Sequence, residues 1–191
     1  SGKSDALFIV DLKSGKKIKH RLNMEGIFRP AWRPGSNEIA FIGNNGKASD
    51  IYLFNLDTEK LTNLTKDWFT DDQVSWYPDG KSLLFISDRN DVLETGISDK
   101  PENHPIHQTD IYHLHIESNS IIRLTKTLYN ETYPCISNDG RTLAFIADKS
   151  GINNIYFQND EYSEARPITN ILTGITQLSW NGDDTQLIFT G

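Results

Sequence analysis

The sequence predicts an all-β fold, a β-propeller of four-stranded antiparallel blades with four blade-equivalents, or sixteen strands. Three observations carry this expectation. An aromatic landmark recurs at fixed phase: Trp32, Trp76, Ile136 and Trp180 each lie nine residues before a phenylalanine, namely Phe41, Phe85, Phe145 and Phe189. Those phenylalanines are 44, 60 and 44 residues apart, and a period in the low forties with four strands per unit is the signature of a propeller blade. Finally, the apolar residues alternate at the two-residue period of strands, and helical periodicity is almost absent.

Each strand of a unit has its own reason. The first runs into the Trp position and ends at a turn, where Asp79-Gly80 and Asp139-Gly140 supply hairpin chemistry. Gly35-Ser36 and Asp183-Asp184 hold the same places with weaker chemistry, so those turns are expected to differ in type. The second strand is the alternating stretch ending near the phenylalanine, as in "SLLFIS" or "TLAFIA". The third carries "DIY" at Asp50–Tyr52 and Asp110–Tyr112, and "NIY" at Asn154–Tyr156. The fourth closes on "NLT", "RLT" or "PIT", ending at Thr65, Thr125 and Thr169. The chain opens on a third and fourth strand, "ALFIVDLKSGKKIK", and closes on a first and second ending at Phe189. Going round from Phe189 through the termini to Phe8 takes ten residues, against eleven from Phe41 to Tyr52. The terminal halves are therefore expected either to pair into one composite blade that closes the ring, or to belong to a piece of a larger propeller. In either case residues 1–191 read as a single propeller domain.

Composition narrows the function. The 191 residues suffice for a sizeable core. A net charge of −7 with no basic cluster argues against nucleic acid, whose phosphates need a Lys/Arg surface. The apolar runs are too short to span a membrane as helices. The opening "SGKSD" carries no export signal and reads as an excised end. One cysteine, Cys135, excludes a disulfide framework within the chain. There is no Gly-x-Ser-x-Gly elbow, His-Glu-x-x-His, P-loop or Gly-x-Gly-x-x-Gly, so no enzymatic activity and no cofactor are assigned. Cys135, beside Pro134 on an expected innermost strand, reads as a small core residue.

The units "WYPDGKSLLFISD…DIYHLHIESNSIIRLT" and "YPCISNDGRTLAFIADKSGINNIYF" resemble the TolB-type propeller repeat, a relative of the WD repeat. The resemblance runs over essentially the whole chain, with departures at Ile136, where the aromatic is lost, and at Asp183-Asp184, where the turn glycine is lost. It implies a non-catalytic scaffold for protein–protein interaction, working in the periplasm or outside the cell with envelope proteins or peptides as partners. The same repeat occurs in the gating propellers of prolyl-oligopeptidase-like peptidases. The alternative it implies is thus an accessory, substrate-filtering propeller whose catalytic domain lies outside this chain. A monomer is expected, since radial blades leave few strand edges exposed.

Two sets of candidate residues follow. The innermost strands of a propeller line its channel, and Arg29, Asp72, Gln73, Thr132, Tyr133 and Gln177 precede the Trp landmark there. One arginine facing one aspartate across a polar ring suits a peptide terminus, an ion or ordered water. The second set is the loop inserted at 89–107, sixteen residues longer than its siblings, a length often put to functional use. It holds His104 and His107, with Asp99 and Glu102 nearby and His113 and His115 on the next strand. Their spacing matches no zinc motif, and no metal is assigned. The tryptophans and phenylalanines are expected to pack between blades, and Asp50, Asp110 and Asn154 to hydrogen-bond a turn.

Overall fold

A computed structural model describes residues 5–46, 48–96, 108–159 and 163–191. They contain sixteen strands and no helix. β1 (Ala6–Val10) and β2 (Lys17–Arg21) form a two-stranded sheet. Three four-stranded antiparallel blades follow. The first is β3 (Gly26–Trp32), β4 (Glu38–Asn44), β5 (Ser49–Asn55) and β6 (Leu61–Asn63). The second is β7 (Asp71–Trp76), β8 (Ser82–Ser87), β9 (Asp110–His115) and β10 (Ser120–Arg123). The third is β11 (Glu131–Ile136), β12 (Leu143–Ala147), β13 (Asn154–Gln158) and β14 (Arg166–Pro167). β15 (Gln177–Trp180) and β16 (Leu187–Thr190) make a second two-stranded sheet.

The landmarks now have physical reasons. In each blade the phenylalanine of the second strand stands opposite the tyrosine of the third: Phe41↔Tyr52, Phe85↔Tyr112 and Phe145↔Tyr156. Their ring centroids lie 5.7, 5.5 and 5.9 Å apart, within the range where aromatic pairs attract beyond simple burial. The closing threonine answers a backbone need. Thr65, Thr125 and Thr169 Oγ1 accept from the amides of Ile51, Ile111 and Ile155 at 3.1, 2.8 and 2.9 Å. The acid or amide before Ile-Tyr caps the loop that leaves the blade. Asp50, Asp110 and Asn154 Oδ1 accept from the amides of Asp67, Thr127 and Ile171 at 3.1, 3.2 and 2.8 Å. The expected turn role of these three residues is what the structure shows.

Strand alternation splits each central strand between two neighbours. On β8, Leu83 and Phe85 pack back against Ala40, Ile42 and Ile51 of the first blade. Leu84 and Ile86 pack forward against Leu143, Phe145 and Ala147 of the third. The β1–β2 sheet seats Leu7 against Ile39, Phe41 and Phe54, and Ile175, just before β15, meets Ile146 and Ile155. Phe41, Phe85 and Phe145 are all 0% exposed, each burial contributing about 1.5–3 kcal/mol relative to exposure.

The turn expectation holds in part. Gly80 and Gly140 adopt φ of 66° and 75°, and Asp184 takes the same place without glycine at 58°. In the first blade the left-handed residue is Gly35, one position earlier, at 68°.

Ring closure through a composite blade is not made. β1 pairs with β2 and β16 with β15, and among the described residues no ladder joins β16 to β1. Phe189 is 41% and Phe8 65% exposed, although their phase matches the buried Phe–Tyr pairs of the blades. Strand counting fixes how many blades a chain can build. Whether they close depends on the wedge angle between blades, and residue spacing does not encode that angle.

Candidate functional site: the inner rim of the arc

Neighbouring first strands touch in series, β3 with β7, β7 with β11 and β11 with β15, so these four line the common axis. In three of them the ladder slips at one place: between Phe28 and Ala31, between Asp72 and Ser75, and between Thr132 and Cys135. Each slip centres on a non-glycine residue in the left-handed region, Arg29 at φ 54°, Gln73 at 56° and Tyr133 at 50°. Such backbone costs about 1–3 kcal/mol per residue and persists only where its surroundings impose it. A bulge re-aims the side chain it carries, and here it does so at the same height in three successive blades.

The bulged residues meet across the blades. Arg29 Nε lies 3.6 Å from Asp72 Oδ1, with both side chains half-exposed. The Arg29 guanidinium also sits 5.3 Å from the centroid of the Tyr133 ring, within cation–π range. Asp72 Oδ1 accepts from the Gln73 amide at 2.7 Å, and Gln73 Oε1 accepts from the Tyr133 amide of the next blade. Behind them, Ser75 Oγ donates to the Pro134 carbonyl at 3.1 Å. One cation, one carboxylate and one aromatic face are thereby held together at the water-facing rim.

Four of the six expected channel residues are thus brought together. Thr132 shares β11 but faces Ile146 in the ladder without a side-chain hydrogen bond to the group. Gln177 is exposed on β15, opposite Thr190, where the ladder shows no slip. His104 and His107 lie outside the described residues. His115 Nδ1 pairs with Ser118 Oγ at 3.0 Å, and the His113 ring lies 4.8 Å from that of Tyr77. Burial pushes the Cys135 thiol up to about 12, which keeps it protonated, although the residue is half-buried and lies outside the buried core.

Sequence reasoning missed the most buried ionic group. Arg89, at the base of the inserted loop, is fully buried. Its Nη2 donates to Asp71 Oδ1 at 2.7 Å, its Nη1 to Asp67 Oδ2 at 3.2 Å and its Nε to Ser87 Oγ at 3.1 Å. The rings of Phe69 and Phe85 flank it at 5.3 Å. Asp50, Asp67 and Asp71 offer oxygens within 4.8 Å of one another. Among the described residues this is the carboxylate group dense enough for a metal, but a guanidinium already bridges two of its members. Burial raises Asp67 to about 6 against the opposing pull of Arg89. The available signal was phase: Asp71 stands five residues before Trp76, as Glu131 stands five before Ile136.

The repeat, the blade geometry and the polar rim define the class of protein as a β-propeller. The TolB β-propeller domain family model matches residues 1–92. The chain superposes on TolB from Acinetobacter baumannii with a TM-score of 0.71 and 21% identity, covering 96% of this chain and 42% of that one. On a putative TolB from Agrobacterium tumefaciens the TM-score is 0.68 at 16% identity, covering 97% and 70%. Over residues 1–92 this chain is similar to the TolB β-propeller domain family, and its fold over nearly its whole length is that of a β-propeller.

Two of the relatives that match in sequence are only partly covered. The uncharacterized protein Atu1656 of Agrobacterium fabrum is 25% identical over 116 residues, 61% of this chain and 34% of that protein. The uncharacterized peptidase YuxL of Bacillus subtilis is 40% identical over 60 residues, 31% of this chain and 9% of the peptidase. The matched part spans about a third of the first relative and under a tenth of the second.

Proposed function

We propose that this propeller is a non-catalytic recognition module whose inner rim receives a protein segment. The observation that carries this reading is the group formed by Arg29, Asp72, Gln73 and Tyr133 at three consecutive strained bulges. A strained backbone repeated at one height is explained by what it presents, and what it presents is a half-exposed ion pair beside an aromatic face. Those elements suit the termini and side chains of a polypeptide. The likeness to TolB supports partners from the cell envelope and a periplasmic or extracellular setting, with the chain itself monomeric. The fold alone does not supply this role.

The test is photo-crosslinking with benzoylphenylalanine at position 133, in envelope preparations of the source cell. Discrete adducts that weaken severalfold in Arg29→Ala and Asp72→Ala variants are expected. Absence of adducts, or adducts indifferent to both variants, overturns the reading.

A second reading rests on the 40% identity with the peptidase YuxL over 60 residues. In it the propeller filters substrates for a catalytic domain elsewhere in a longer protein. Sequencing the parent gene on both sides of this segment decides: a downstream serine-hydrolase domain supports the filter, and its absence removes it.

A further inference from the structure

The rim group holds more hydrogen-bond donors than it uses. Arg29 reaches Asp72 Oδ1 from Nε at 3.6 Å and stacks on Tyr133, but among the described residues it makes no hydrogen bond. Arg33, Arg89 and Arg123 differ, since each commits its guanidinium to oxygens of the fold. Gln73 repeats the pattern of Arg29. Its Oε1 accepts from the Tyr133 amide, and its Nε2 donors have no partner among the described residues. The acceptor among these side chains is Asp72, whose Oδ1 already serves the Gln73 amide. Its Oδ2 is unengaged among the described residues.

These donors are held in place. Tyr133 packs against the buried Ile146, Ile155 and Ile175, so the ring that carries the Arg29 guanidinium at 5.3 Å is anchored to the core. The left-handed backbone at Arg29 and Gln73 fixes where both side chains start. A long side chain already held loses less freedom when a ligand arrives. With Nε beside Asp72, the fork left to a ligand is the pair of Nη atoms. A planar carboxylate is the partner that fits a guanidinium fork, through two parallel N–H bonds.

We infer that the rim binds the C-terminal carboxylate of a peptide, an inference that rests on the recognition role proposed above. A C-terminal residue carries two acceptor oxygens and, one Cα away, its own amide N–H. The oxygens meet the Nη atoms of Arg29, the N–H donates to Asp72 Oδ2, and Gln73 Nε2 donates to the carbonyl of the preceding residue. Asp72 leaves the Arg29 pair without net charge, which disfavours doubly charged anions and suits an acid with a donor beside it. Arg29 and Asp72 are both half-exposed, so the group does not enclose its ligand. A polypeptide, which adds contacts along the inner strands, is thereby favoured over a free amino acid.

The experiment incubates the immobilised chain with an equimolar library of N-acetylated octapeptides, half ending in a free carboxylate and half in a carboxamide. Captured members are read by mass spectrometry. The wild type is expected to enrich the free acids about tenfold over the amides. Arg29→Gln should abolish that preference without lowering the melting temperature. Asp72→Asn keeps an acceptor and removes the nearby negative charge, so capture of the acids should rise severalfold. A preference that survives in folded Arg29→Gln overturns the proposal. Equal capture of acids and amides by the wild type also overturns it, and if Arg29→Gln lowers both alike, the rim still recognises polypeptide by other groups. Capture of neither overturns it as well, and crosslinking at position 133 then judges the recognition role by itself. Capture that falls in Asp72→Asn but not in Arg29→Gln overturns it in favour of a lysine side chain as the ligand. If Arg29→Gln does not fold, Tyr133→Leu, which removes the ring under the guanidinium, must lower the acid preference severalfold. An unchanged preference there overturns the proposal in the same way.

Discussion

The second and third blades begin with a carboxylate at the same phase, Asp71 and Glu131, both fully buried, and keep it by opposite means. Asp71 is bridged by the Arg89 guanidinium, which it shares with Asp67. Among the described residues no guanidinium bridges Glu131 in this way. Its oxygens accept from the hydroxyls of Thr125 and Thr127, and burial raises its pKa to about 8. At the last junction the same position is Ile175, also fully buried. One repeat slot thus holds a compensated ion, a neutralised acid and a hydrocarbon in turn. What the fold demands there is removal of net charge, and three chemistries meet that demand.

The largest expected effect tests the compensated ion. Arg89→Met keeps much of the side-chain volume but leaves Asp67 and Asp71 buried without a cation. Removing one partner of a buried pair costs about 3–5 kcal/mol. Thermal and denaturant melts of the variant should show a loss of that order, smaller at pH 5 than at pH 8, because protonation of Asp67, already raised to about 6, relieves part of it. A loss under about 1 kcal/mol at pH 8 would mean that the guanidinium is not the charge partner the geometry indicates.

Phenylalanines at one phase sharpen the picture from the hydrophobic side. Phe145→Ala should cost about 3–5 kcal/mol, as for other buried aromatics, and Phe189→Ala under about 1. The first lies between two blades and the second on the open face of the last sheet. Comparable losses in urea melts would mean that Phe189 is covered in solution.

The neutralised acid predicts a pH dependence. Folded Glu131 holds its proton up to about pH 8, whereas an unperturbed glutamate releases it near 4.5. The folded state therefore binds more protons between those values, and stability from this group falls as pH rises through the window. Asp67, raised to about 6, adds a slope of the same sign. The difference between wild type and Glu131→Gln isolates the glutamate. The variant should match wild type near pH 4.5 and exceed it by at most a few kcal/mol at pH 8. A variant less stable than wild type at pH 8 would show that the ionised carboxylate is what the threonines hold.

These junctions also show where the sequence stops being legible. The Trp, Phe, Tyr and Thr phases located every blade strand, because each landmark serves one local duty set by strand period: a cross-strand ring pair, or a hydroxyl on a backbone amide. Arg89 escaped because its two acids lie 18 and 22 residues away, brought near only by the turn from one blade to the next. The bulges at Arg29, Gln73 and Tyr133 escaped because left-handed backbone is signalled by glycine, and none of the three is glycine. Arg29 and Asp72 were nevertheless placed together at the rim, since both precede the Trp landmark at nearly the same phase. The departure at Ile136 was visible in the sequence, but its packing with Tyr77 of the preceding blade depends on how the blades meet.

A modest effect belongs to the slot's apolar version, where the threonine has no carboxylate from the next sheet to serve. Thr169 Oγ1 donates to Asn154 Oδ1 at 2.9 Å and accepts from the Ile155 amide at 2.9 Å. Thr125 Oγ1 makes the same backbone bond but donates to buried Glu131. Replacing either threonine by valine keeps the shape and deletes the hydroxyl. At Thr169 the half-buried surroundings admit water to the freed groups, so Thr169→Val should cost about 0.5–1.5 kcal/mol, the ordinary worth of such bonds. At Thr125 a fully buried acid loses a partner, so Thr125→Val should cost about 1–3 kcal/mol. Glu131→Gln should change the Thr125→Val cost measurably and leave the Thr169→Val cost alone, since only the first pair shares a partner. A double-mutant cycle with no coupling between Thr125 and Glu131 would separate the two residues energetically, and neutralisation of the slot would then rest on burial alone.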